Sequence, residues 1–191
     1  MRRKIQRPFF FLVLFFFAST PLFATSNFYY DFENGSFEGW TVINKKRDYL
    51  WSVVQGDNNN HYFGSKVSDN FSYTEAQAGD FLWDNYELEF DLIRKSGGDI
   101  NFFFRVRDER SIYDDGNEHI FNWPQGYGIH VSLGKVYLGK FFSDHYEQLT
   151  SGVNLPTWNS GIYHFKIVAY KNNFKIYENN NLLIDFVDTN I

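Results

Sequence analysis

The strict period-two alternation between Trp83 and Arg107, WDNYELEFDLIRKSGGDINFFFRVR, constrains this chain more than any other feature. In its first half Tyr86, Leu88, Phe90 and Leu92 alternate with Glu87, Glu89 and Asp91. In its second half Phe102, Phe104 and Val106 alternate with Asn101, Phe103, Arg105 and Arg107. Alternation of this length is the mark of half-buried antiparallel strands, because successive side chains in a strand leave on opposite faces. The Lys95-Ser96-Gly97-Gly98 stretch reads as the turn of a hairpin. That hairpin would set Glu87 and Glu89 beside Arg105 and Arg107 on one polar face. Such a face is either plain solvated surface or the floor of a binding groove.

The rest of the chain carries the same signature. Runs of four to ten residues alternate between Gly, Asn and Asp clusters, and nothing reads as a helix, which predicts an all-β antiparallel sandwich. Strands are expected at FYYDFE (28–33), GWTVI (39–43), LWSVV (50–54) and HYFGSKV (61–67). A second hairpin, GYGIHVSLGKVYLGKF (126–141), turns near Leu133-Gly134, with Tyr127, Ile129, Val131 and Leu133 on its apolar face and His130 and Ser132 on its polar face. Residues 145–161 read as connection. A closing meander follows, IYHFKIVAY and FKIYEN joined at Asn172-Asn173, then Asn179-Asn180-Asn181 into LLIDFVD. Residues 108–125 are too long for a simple hairpin loop and carry Tyr113, Asp114, Asp115, His119 and Trp123, which suggests a functional loop.

Residues 1–26 read as a secretory signal: a basic MRRKIQR, a short Phe/Leu-rich core from Pro8 to Ala18, and small residues at Ala24 to Ser26. The apolar run, about eleven residues, is short for a membrane span. No cysteine follows it to carry a lipid anchor. The predicted mature domain, 27–191, is one domain by length. The signal holds four of the 18 basic residues and no acid, which leaves 14 Lys+Arg against 23 Asp+Glu, a net −9. This argues against nucleic acid or an anionic membrane as partner, and no membrane insertion is expected after signal cleavage. A cysteine-free exported chain points to a bacterial secreted, periplasmic or cell-surface location.

The order of these motifs carries a resemblance. DFENGSFEGW, LWSVV-x-G, YELEFDL, a Gly-Gly turn, NFFFRVRD, GYGIHVSLGKVYLGK, Trp158 and YENNNLLIDFVD together resemble the concanavalin A-like lectin/glucanase jelly rolls. Within these, the series is most similar to secreted laminin-G-like and 3-keto-disaccharide hydrolase (family 16-like) domains. The resemblance implies a two-sheet antiparallel jelly-roll sandwich that binds glycan or polysaccharide on its concave face or rim loops. It also implies one or two strands beyond LLIDFVD. This chain stops at Ile191, so either it is truncated or the sandwich closes without them; a missing partner would leave the expected Phe28–Glu33 strand with an open edge.

The candidate ligand-binding residues are Glu87, Glu89, Asp91, Phe103, Arg105, Arg107, Tyr113, Trp123, His130 and Tyr137. Aromatic rings suit the apolar C–H face of a pyranose, and the polar groups suit its hydroxyls. For each aromatic, core packing is the competing role; Trp40, Trp51 and Trp158 are assigned to it. A catalytic reading would use Glu89 and Asp91, as in the Glu-x-Asp-x-x-Glu strand of retaining family 16 glycosidases. The acid/base position of that pattern is Arg94 here, and an arginine cannot donate the proton. Non-catalytic glycan binding is therefore the leading expectation, ahead of a glycoside hydrolase and a protein-interaction or adhesion module. Jelly rolls of this kind often carry a structural calcium. Asp31, Glu33 and Asn34, with Asp185 or Asp188, are hard oxygen ligands for one, and equally plain turn acids.

Overall fold

The structure is a computed structural model, described over residues 28–44, 51–56, 59–65, 74–80, 82–93, 99–107, 125–142, 145–155 and 162–190. Among these residues there is no α-helix, and every strand pairing is antiparallel. The strands are β1 Thr41–Asn44, β2 Trp51–Gln55, β3 His61–Ser65, β4 Thr74–Gln77, β5 Tyr86–Ile93, β6 Ile100–Phe104 and β7 Gly126–Ser132. They continue with β8 Lys135–Phe141, β9 Tyr146–Gln148, β10 Val153–Asn154, β11 Ile162–Tyr170, β12 Asn173–Glu178 and β13 Asn181–Val187. One sheet has the order β13-β12-β11-β5. The other has β10-β8-β7-β6, with β9 also on β8. β1 with β4 and β2 with β3 form separate pairs.

The two larger sheets close on one apolar layer. Ile129, Val131, Val136 and Leu138 meet Phe165, Ile167, Phe174 and Ile176, all fully buried. Burying a side chain of this size contributes about 1.5–3 kcal/mol, so this layer is what makes the sandwich. Phe90 of β5 lies 4.3 Å, centroid to centroid, from Phe102 of β6, and Tyr127 lies 4.4 Å from Phe174.

The contact between Phe90 and Phe102 corrects the expected hairpin. β5 and β6 are not neighbours: β5 pairs β11, and β6 pairs β7. The chain crosses from one sheet to the other between them, through residues 94–98, which lie outside the described residues. Alternation tells that both strands have an apolar face. It does not tell whether the faces lie side by side in one sheet or opposed across a core, and opposition buries both.

Other expectations are refined. The 28–33 segment is not a strand, so it has no edge to leave open; it runs into a turn with Phe32 at φ 61°. Trp40 and Trp51 pack with Phe63, at 5.3 and 4.8 Å, in an aromatic cluster beside the main core. Trp158 lies outside the described residues. The β7–β8 turn is at Leu133-Gly134 as expected, both with positive φ, and Leu133 is 94% exposed rather than on the core face. The β11–β12 turn falls at Lys171-Asn172, one residue early, with Lys171 taking the positive φ. β9 and β10 occupy a stretch read as connection, and β4 lies where no strand was expected.

Candidate functional site

The predicted polar face is divided among three places. Glu87, Glu89 and Asp91 stand on the outer face of the four-stranded sheet, opposite β11 instead of Arg105 and Arg107. Lys166 reaches Glu87 at 2.5 Å and Glu89 at 3.0 Å, and His164 Nδ1 lies 2.8 Å from Asp91. Bonding to the two glutamates holds the Lys166 ammonium above its ordinary value. On β12, Lys175 pairs Asp185 at 3.0 Å. This face is a ladder of compensated charges.

Arg105 and Arg107 leave the sheet altogether. β6 ends at Phe104, and Arg105, at φ 51°, turns inward to 9% exposure over the Phe174 ring. Arg107 pairs with Asp84.

Phe103, His130 and Tyr137 are brought together on the outer face of the five-stranded sheet. Register places Asn101 and Phe103 beside His130 and Gly128, and these beside Tyr137 and Gly139. The rings run in sequence: Phe103 to Phe141 at 4.7 Å, Phe141 to Tyr146 at 4.8 Å, Tyr146 to His130 at 6.4 Å and His130 to Tyr137 at 6.0 Å. Phe141 is buried among them; the others are half-buried.

Missing side chains make room for this run. The Tyr146 ring lies across Gly139, where a Cβ would come within 2.0 Å of it. The Tyr137 ring lies across Gly152, where a Cβ would come within 2.5 Å. Each ring thereby lies against the sheet, and both tyrosines remain half-buried. Polar groups edge the platform. His130 Nδ1 is 2.8 Å from Asn101 Oδ1, and its Nε2 is 3.5 Å from Asp99. Gln148 projects beside Gly139 from β9. The Tyr146 hydroxyl is buried without a hydrogen-bond partner, and burial, with Tyr137 nearby, pushes its pKa up.

Sequence reading found three of these residues and missed Asn101, Phe141, Tyr146 and Gln148. The legible signal was Gly139, a glycine at an outward strand position with aromatics two residues to either side, which invites a ring from the next strand. Tyr113 and Trp123 lie outside the described residues.

Of the proposed calcium ligands, Asp31 and Asn34 accept bonds from the backbone N–H groups of Glu33 and Ser36, as turn residues do. Glu33 holds His61 through both carboxylate oxygens at 3.0 Å, and bonding to His61 keeps its carboxyl below the ordinary value. Asp188, 2% exposed, accepts from Tyr127 at 2.6 Å, Lys140 at 3.1 Å and the Asn190 N–H at 2.8 Å. Asp185 is the partner of Lys175. Among the described residues no three His, Asp or Glu side chains are grouped to hold a metal.

The chain is similar in structure to the carbohydrate binding module CBM66 from Bacillus subtilis. The TM-score is 0.50 at 21% sequence identity, covering 78% of this chain and 80% of that one. At that identity the likeness speaks for the fold, an antiparallel β-sandwich. No family model matches the sequence, and no curated protein matches it.

Proposed function

We propose that this protein is an exported, non-catalytic carbohydrate-binding module that holds a glycan against the outer face of the five-stranded sheet. The observation that carries the reading is the aromatic run of half-buried Phe103, Tyr146, His130 and Tyr137 around the buried Phe141, with Asn101 and Gln148 at hand. An outward ring face takes the C–H face of a sugar, and the polar groups beside it take the hydroxyls. The order of strand motifs supports the concanavalin A-like type of jelly roll, and the basic-then-apolar leader supports export. The likeness to a carbohydrate binding module agrees with the reading, although a fold by itself does not fix a function.

The test is a glycan array with the mature chain, assayed also for sugar release, alongside Tyr137→Ala, Phe103→Ala and Gly139→Ala. Each lost ring should weaken binding about three- to tenfold, from roughly 0.5–1.5 kcal/mol per stacked ring. Gly139→Ala should do the same without removing a ring, because its Cβ displaces Tyr146. A folded chain that binds no glycan, or that binds equally well in all three variants, would overturn the reading. Sugar release abolished by Glu89→Gln or Asp91→Asn would shift it to a glycoside hydrolase working from the opposite face.

A further inference from the structure

At one end of the sandwich three segments meet around Arg105. Its own N–H donates to the Tyr86 hydroxyl at 2.6 Å, its Nη1 donates to the Lys171 carbonyl, and the Lys171 N–H donates to Asn85 Oδ1 at 2.6 Å. Arg107 holds Asp84, and the Arg107 N–H donates to the Gln125 carbonyl at 2.8 Å. Gly126 lets the backbone pass: a Cβ there would come within 2.8 Å of the Arg105 carbonyl. The guanidinium is thus fixed in place by backbone, ring and turn, in a conformation that side-chain-bearing residues seldom adopt.

It is also unanswered. Nε and Nη2 are both buried, and neither has a hydrogen-bond partner. These two atoms form the side-on fork of the guanidinium, the edge that matches the two oxygens of a carboxylate. No carboxylate among the described residues lies within ion-pairing distance of it: Asp84 is taken by Arg107 and Asp188 by Lys140. Glu147, exposed on β9, also faces this end through the field it exerts on Tyr127. Asp84 acts on Arg105 only through its field, so the buried bidentate edge keeps no hydrogen-bond partner, which is costly, and a ligand that completed it would relieve that cost.

We propose that the Nε/Nη2 edge of Arg105 is a binding site for a carboxylate, either a small free one or one carried on an acidic sugar. The acidic-sugar source rests on the glycan-binding reading above; the small-carboxylate source does not. Both nitrogens are buried, so the proposal requires the turns at 84–86 and 171–172 to part for the ligand to enter.

The experiment follows the Arg105 Nε–H resonance of the mature chain by NMR, assigned through bonds from its own amide. Sodium acetate, methyl glucuronide and methyl glucoside are titrated separately. A saturable shift with acetate and glucuronide alike assigns the site to free carboxylates. A shift with glucuronide at least about tenfold tighter than acetate assigns it to an acidic sugar. Arg105→Lys keeps the charge and loses the fork, and should weaken either ligand about tenfold or more. A resonance that no carboxylate moves, or that the neutral glucoside moves equally, overturns the proposal. Array binding that survives such a failure leaves the aromatic platform standing.

Discussion

Asp188 shows how one side chain ties the two sheets. It follows β13 in one sheet and accepts bonds from Tyr127 on β7 and Lys140 on β8 in the other. Burial pushes its carboxyl up, but the bonds from Tyr127, the Asn190 N–H and Lys140 outweigh that and leave it below the ordinary 3.8. Burial and the same bond drive the Tyr127 hydroxyl far above its ordinary value. For a carboxyl lowered by folding, the stabilisation is fully present above the unfolded value and is lost as pH falls through the folded one. Denaturation at a series of pH values should therefore show stability falling below about pH 4, with Asp188→Asn showing a shallower acid limb. At neutral pH the same variant should lose about 1.5–3 kcal/mol, the range for hydrogen bonds to a charged group. An unchanged acid limb would remove Asp188 from the account.

At the scale of the element, β5 and β11 share eight register pairs, and their outer residues are the charge ladder of Glu87, Glu89, Asp91, His164 and Lys166. Each pair is exposed and screened by water. Lys166→Ala should cost no more than about 1 kcal/mol in chemical denaturation and leave glycan affinity unchanged. Loss of binding in that variant would place the ligand on the four-stranded sheet instead of the five-stranded one. The contrast with β8 is chemical. Its outward positions alternate large and absent side chains, Tyr137, Gly139 and Phe141, where those of β5 carry three acids before Ile93.

Among the described residues the molecule has one shared core and two outlying strand pairs. The nine strands of the two larger sheets bury the apolar layer between them, while β1–β4 and β2–β3 lie outside that hydrogen-bonded network. Amides that open only with the core are the slowest to exchange. Hydrogen exchange should leave β7, β8, β11 and β12 protected longest, with β1 to β4 exchanging first. Equal protection throughout would mean that the outlying pairs are locked to the core as firmly as its own strands.

The sequence by itself determined the fold class. Period-two alternation and Gly/Asn turns leave no other home for Ile129, Val131, Phe165 and Ile167 than the inside of a β-sandwich, and Gly134 and Asn179-Asn180 are the positive-φ turn residues their types announce. It also put Phe103, His130 and Tyr137 on outward faces. What it could not determine was which strand lies beside which. Alternation is a local property of one strand, whereas partner choice is set by how whole faces can be buried together. For that reason Glu87 and Glu89 met Lys166 and not an arginine, and Phe90 met Phe102 across the core. Arg105 was read as one more outward residue of its strand. Only the end of β6, where the backbone turns to positive φ beneath Tyr86 and Lys171, sent it inside.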